Sequence, residues 1–304
     1  MRVLVVDPAY SLDEVREILD GHVEVEAAGA PWQGDDVVAL LTGPDFPVGE
    51  EELAQLPALK VVATCSVGYD HLDLEAAAAR DVWVCNVPDY CVEEMADSSL
   101  ALLLTLLRGV VTLDRSVREG KWDHKVAGPL HTFRGTKLAV IGLGRIGRAV
   151  TERALALGFE VWGVDPHVSI ELDGVRGATL VEALETCNAF SLHALLTPET
   201  RGMIGADELA RMPRGSYLVD TSRAALVDFD AVLAALDSGQ LAGAAFDVLP
   251  VEPPTPEVPA SQHPRLIVNP HAAWYSPATE KEAYRRPVVA VLEALEGRRP
   301  ADAL

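Results

Sequence analysis

Apolar residues in this chain fall into short runs separated by mixed stretches, and the spacing within each kind predicts an element. The runs RVLVV (2–6), VEVEA (23–27), VVALL (37–41), KVVATC (60–65) and VWVCNV (82–87) have the length and content of strands. Leu12 to Leu19 has helical spacing. Strands this apolar, alternating with helices, belong to a parallel sheet covered on both faces. A long helix is predicted from about Val92 to Arg118, with Ala96, Leu100, Leu103, Leu104 and Leu107 on one face. After an irregular stretch at 121–137 containing Gly128, Pro129 and Gly135, a second series begins: KLAVIGLG, EVWGVDP, AFSLHALL, SYLVDTS, LAGAAFDVL and RLIVNPHA. The Pro-rich segment VLPVEPPTPEVPA, between the last two strands, must be a loop. From Ser276 a helix, kinked or restarted at Pro287, runs past Leu295 and can pack back on the first series.

With 304 residues the chain exceeds what one core usually supports, so the two series read as two domains. The expected boundaries are 1–95 with 277–304, and 96–276. Composition is that of a globular protein, 49% hydrophobic and 23% charged. The 25 basic and 46 acidic residues leave a formal charge of −21, which disfavours nucleic acid and anionic membrane surfaces as partners. Against that field an anionic substrate needs a local cation, so any Arg in a pocket gains interest. Cys65, Cys85, Cys91 and Cys187 lack metal-type spacing and read as reduced core residues, so no metal is expected. MRVLVVDPAY lacks the apolar core of a signal peptide, and Leu100 to Leu107 is too short to cross a bilayer; a cytoplasmic location is expected.

Candidate chemistry begins at Gly142-Leu143-Gly144-Arg145-Ile146-Gly147, between a strand and a helix. That context suits a dinucleotide: the first glycine turns the chain, the second admits pyrophosphate to the backbone, and the third lets helix and strand approach. Asp165, followed by Pro166, ends the next strand about 20 residues on, where a carboxylate accepts from the adenosine ribose hydroxyls and repels a 2′-phosphate. NAD is therefore expected over NADP, in a Rossmann-like domain.

Arg223, Asp247, Glu252 and His271 follow later strands at their C-terminal ends, where ligands bind in open α/β sheets. Hydride transfer to a 2-oxo acid needs a cation for the carboxylate and ketone, which suits Arg223, and an acid for the new alkoxide, which suits His271. Glu252 would raise and orient the imidazole. In isolation Arg223 reads equally as a surface cation, Glu252 as a solvated carboxylate and His271 as a capping histidine; their coincidence behind a dinucleotide fingerprint favours the chemical reading. His71, His124, His131 and His263 have no such context and read as structural or exposed, whereas His193 can line the cofactor through its backbone.

The segments SVGYD (66–70), NVPDYCVEEMADSSLALLL, RGTKLAVIGLGRIGRAV, DTSR (220–223), FDVLPVEPP and PHAAW together resemble the D-isomer-specific 2-hydroxyacid dehydrogenases, in family order over roughly residues 60 to 280. The resemblance implies two Rossmann-like parallel-sheet α/β domains, a discontinuous substrate domain and an NAD-binding domain. It implies a catalytic set of Arg223, Glu252 and His271, with Asp247 on the nicotinamide carboxamide. The cofactor surface would further include Gly142, Gly144, Arg145, Ile146, Gly147, Asp165, Pro166, His193, Thr200, Thr221, Ser222, His271 and Ala273. The loop Ser66-Val67-Gly68 would receive the substrate carboxylate on its Val67 and Gly68 amides. Members are typically homodimers joined through the NAD-binding domain. PHAAWYS is most similar to the C-terminal-binding proteins, which places Trp274 in the substrate pocket. Many relatives carry an Arg just before the 66–68 loop, where this chain has Thr64 and Cys65. The expected substrate is thus a monocarboxylic 2-oxo acid with an apolar or aromatic side chain. Two alternatives share these motifs: a nicotinamide reaction on another substrate, and an NAD-gated module that recruits peptides.

Overall fold

The computed structural model describes residues 1–21, 23–170, 172–255 and 263–304. The chain divides into two compact units, Met1–Tyr90 with Ser276–Leu304, and Cys91–Tyr275.

In the first unit, β1 (Arg2–Val5), α1 (Leu12–Leu19), β2 (Glu24–Ala27), β3 (Val37–Thr42), α2 (Glu50–Ala54), β4 (Val61–Thr64), α3 (Leu74–Ala78) and β5 (Trp83–Cys85) follow in order. The five strands form one parallel sheet, β2-β1-β3-β4-β5. One face buries Val3, Val5, Val15 and Leu19 with Val288 and Val291 of the C-terminal helix, Pro277–Leu295. The other buries Leu4, Leu40, Leu53 and Val62. The C-terminal helix starts at Ser276, whose side chain accepts from the Thr279 amide, and it runs through Pro287 without a break. The expected restart at Pro287 is therefore absent. Pro287 is itself buried, and the packing of Val288, Val291 and Ala294 on the sheet outweighs the hydrogen bond that proline removes.

The second unit contains α4 (Val92–Arg108), α5 (Val110–Arg118), β6 (Lys137–Ile141), α6 (Arg145–Ala156), β7 (Glu160–Val164), β8 (Val175–Gly177), α7 (Leu180–Thr186), β9 (Ala189–Leu192), α8 (Ala206–Arg211), β10 (Ser216–Asp220), α9 (Phe229–Ser238), β11 (Leu241–Phe246) and β12 (Leu266–Val268). Its seven strands are all parallel, in the order β12-β11-β10-β9-β6-β7-β8. The order reverses between β9 and β6, the crevice where such sheets bind ligands beyond their C-terminal strand ends.

The single long helix expected over 92–118 is two helices, bent by 59°. Gly109 caps the first in the left-handed region, φ +59°, and a β-carbon there would lie 2.8 Å from that of Ala127. A glycine C-cap ends the helix while the apolar pattern carries on through it. α4 packs Ala96, Leu100, Leu103 and Leu107 into the core, and among the described residues no single helix is long and apolar enough to cross a membrane. The Pro-rich segment is irregular from Val248 to Thr255; the rest of that expected loop, 256–260, lies outside the described residues.

Candidate active site

β6 stops at Ile141 because Gly142 turns the chain with φ +94°. A β-carbon on Gly147 would sit 1.9 Å from the Gly142 carbonyl oxygen, so only glycine lets α6 pass this close to the strand. Gly144 caps α6 with no side chain and with open space above it, which leaves the first-turn amides of Arg145, Ile146 and Gly147 to meet an anion. Asp165, just past β7, accepts the Leu143 amide on one carboxylate oxygen (2.8 Å) and the His167 amide on the other (2.9 Å), while Pro166 between them is exposed. The carboxylate is thereby pinned against the glycine turn. This donor set fits a dinucleotide: the α6 amides would hold its pyrophosphate and Asp165 its ribose.

Around it, the polar side chains are committed to the protein. Ser222 donates to the Leu192 carbonyl (2.7 Å), Thr221 pairs with Ser99 on α4 (2.8 Å), and Thr200 donates to the Leu195 carbonyl (2.6 Å). His193 pairs through Nε2 with Ser191 (2.8 Å), and burial pushes its pKa down to about 4, so it is neutral at pH 7. Its carbonyl group lies where a Gly142 side chain would be, and its β-carbon lies 3.5 Å from where one on Gly147 would be, so backbone and side chain both border the glycine turn.

Beyond β10, β11 and β12 stand the titrating groups. His271 Nδ1 lies 2.7 Å from Glu252 Oε2, and Glu252 Oε1 accepts the Leu249 amide at 2.6 Å. The bond to Glu252 outweighs partial burial and holds the imidazole above its ordinary pKa. Burial alone would raise the Glu252 carboxyl; the bonds from His271 and Leu249 hold it below the usual range. Arg223 caps a short helical turn, donates to the Ser222 carbonyl (3.0 Å), and its charge bears on both His271 and Glu252. Asp247 accepts the amides of Ala272 (2.9 Å) and Ala273 (2.8 Å) on separate carboxylate oxygens. The indole of Trp274 donates to the His271 carbonyl (3.0 Å). A cation, a histidine whose protonated form is favoured and a carboxylate that orients it can together bind an anion and deliver a proton.

In the first unit, the loop after β4 turns its carbonyls inward. Ser66 O accepts from the Val87 amide (3.0 Å), Val67 O from Asn86 Nδ2 (2.7 Å) and Gly68 O from Ser66 Oγ (2.7 Å). Behind Ser66, Thr64 Oγ1 lies 3.0 Å from its hydroxyl and 3.2 Å from His71 Nε2. The Val67 and Gly68 amides have no acceptor among the described residues.

Residues 100–273 match the NAD-binding domain of the D-isomer-specific 2-hydroxyacid dehydrogenases. A glyoxylate reductase of Korarchaeum cryptofilum is 39% identical over 251 residues, covering 81% of this chain and 75% of the relative. A glycerate dehydrogenase of Methylorubrum extorquens is 35% identical over 280 residues, 88% of this chain and 87% of the relative. The chain belongs to the D-isomer-specific 2-hydroxyacid dehydrogenase family. A crystal structure of the TT0316 protein from Thermus thermophilus superposes over the whole of both chains with a TM-score of 0.88 at 33% identity. This 2-hydroxyacid dehydrogenase family member is an oxidoreductase whose cofactor is NAD.

Where many members of the family carry an Arg, Thr64 is buried in the hydrogen-bonded chain to His71, and the Cys65 thiol donates to Asp7 at 3.5 Å. An acid thus stands beside the loop where a cation is common. Sequence reasoning passed over Asn86, whose bond to the Val67 carbonyl spans 19 residues, and it read Thr64 only as a missing Arg and His71 as structural or exposed without joining the two. It also passed over Asp220, fully buried at the end of β10, where Oδ1 accepts the Ser222 amide (2.8 Å) and burial pushes the carboxyl up to about 7. Asp220 holds the turn that presents Arg223. All four cysteines are buried and form no disulfide, and among the described residues no group of three or more His, Cys, Asp or Glu is placed to hold a metal ion.

Proposed function

We propose that the protein reduces a monocarboxylic 2-oxo acid to the D-2-hydroxy acid with NADH, and runs the reverse oxidation. The observation that carries this reading is the His271–Glu252 pair at 2.7 Å, in the unit that holds the dinucleotide fingerprint. Glu252 occupies Nδ1, so Nε2 is the nitrogen that gives its proton to the substrate oxygen. Arg223 binds the substrate carboxylate and polarises the carbonyl. Bound NADH supplies the hydride. In the oxidation direction neutral His271 accepts the hydroxyl proton, with Glu252 stabilising the imidazolium.

Asp7 beside Cys65, together with the net charge of −21, makes a second substrate anion costly. The relatives named above fit this, since glyoxylate and glycerate each carry one carboxylate and no phosphate. NADH oxidation should therefore be faster, by kcat/KM, with glyoxylate, hydroxypyruvate or phenylpyruvate than with oxaloacetate or 3-phosphohydroxypyruvate. A phosphorylated or dicarboxylic acid ranking first would refute the single-anion site.

A homodimer through the NAD-binding unit belongs to the same proposal. α5 presents Val110, Val111 and Val117 to solvent, and Trp122 beyond it is 91% exposed, apolar side chains that a second copy would cover. A solution mass near the 32.6 kDa of one chain would contradict it.

A further inference from the structure

His271 has a left-handed backbone, φ +51°, a conformation that costs a histidine of order 1 kcal/mol. Four hydrogen bonds impose it. The His271 amide donates to the Asp247 carbonyl (2.9 Å), and the next two amides, of Ala272 and Ala273, donate to the Asp247 carboxylate. From the other side the Trp274 indole N–H reaches back to the His271 carbonyl at 3.0 Å. Asp247 is itself buried and tied to the sheet by its amide, which donates to the Asp220 carbonyl (2.9 Å).

The direction of the imidazole depends on this clamp. Relaxing φ from +51° to the ordinary value near −60° would rotate the chain by roughly 110° about N–Cα. The side chain would then swing away from Glu252. We infer that Trp274 is a positioning residue, whose indole N–H holds His271 in the one backbone conformation that joins its imidazole to Glu252. The inference rests on the reading of His271 as the proton donor. It gives Trp274 a task within its own turn, separate from any contact with the substrate side chain.

The two roles leave different kinetic marks. A tether acts through His271, so its loss lowers kcat and leaves substrate binding nearly intact. It also moves the pH at which reduction declines. Glu252, Asp247 and Arg223 are the charges that face the imidazole, and the Glu252 bond, which keeps it protonated to higher pH, loosens when the backbone relaxes. The alkaline limb therefore shifts to lower pH. A tryptophan that only walls the substrate would change KM and side-chain preference while leaving that limb in place.

The test compares the full-length wild type with Trp274→Phe, which keeps an aromatic ring and removes the donor. The expected result is a kcat lower by about tenfold, a KM for the 2-oxo acid within about twofold, and an alkaline limb at lower pH. NADH titration and thermal unfolding establish that the variant is folded. Should Trp274→Phe fail to fold, replacing Trp274 with its benzothiophene isostere removes only the N–H and carries the same expectations. An unchanged kcat and pH profile, or a change confined to KM and side-chain preference, overturns the tether. His271→Gln in the same assay separates the two ideas. If it is inactive while Trp274→Phe behaves as wild type, the tether alone falls; if it retains full activity, the proton-donor reading falls first.

Discussion

Replacing His271 with Gln should lower the rate of 2-oxo acid reduction by about 10²- to 10⁴-fold, the range associated with losing a positioned general acid. Glutamine has similar bulk and can still meet Glu252, but it has no proton to give near neutral pH. NADH binding should weaken far less than the rate falls, since the glycine turn and Asp165 lie outside the His271–Glu252 pair. The wild-type pH profile follows from the sign of the shift. His271 is held above its ordinary pKa, so reduction should be fastest below that raised value and decline as pH rises through it; oxidation, which needs the neutral imidazole, should rise over the same interval. Glu252→Gln removes the largest contribution that raises the imidazole, so both limbs should move to lower pH. An unaltered pH profile in Glu252→Gln would mean that the pair plays no part in proton transfer.

Arg223→Gln should lower kcat/KM for the 2-oxo acid by about 10²- to 10³-fold, because a substrate carboxylate then enters a strongly acidic protein without its cation. The loss should appear in both kcat and KM, since Arg223 is assigned both the carboxylate and the developing charge on the carbonyl oxygen. Arg223→Lys should recover only part of it: lysine restores a point charge but not the planar fork that meets a carboxylate in two bonds. Added guanidinium ion should restore activity to Arg223→Gln in a saturable manner. Near-wild-type kcat/KM in Arg223→Gln would remove this residue from the substrate site.

Much of this arrangement is legible in the order of residues, and what escapes shares a physical cause. Apolar runs of strand length and the glycines at 142, 144 and 147 are local signals, and they place the sheets and the dinucleotide turn. Arg223, Asp247, Glu252 and His271 can be set at strand ends by the same local reading, but their distances cannot. Glu252 and His271 are 19 residues apart, and only the packing of their two loops brings them to 2.7 Å. Local rules also misjudge the helices. Pro287 should break a helix and does not, because burial of its neighbours overrides propensity; Gly109 does break one, because a left-handed cap is needed where Ala127 packs against the bend. The hydrogen bonds among His71, Thr64, Ser66 and Asn86, and the indole bond from Trp274 to His271, leave no periodic trace. Such contacts depend on rotamers and loop paths that the order of residues does not display.

The central claim, that a hydride passes to C2 of a 2-oxo acid to give the D-hydroxy acid, is tested most directly by reducing glyoxylate's prochiral homologue pyruvate with NADH deuterated at both C4 positions and analysing the product. The account predicts lactate of D configuration with one deuterium at C2, formed by the wild type and lost in His271→Gln. Lactate of L configuration, or a product without deuterium at C2, would contradict it.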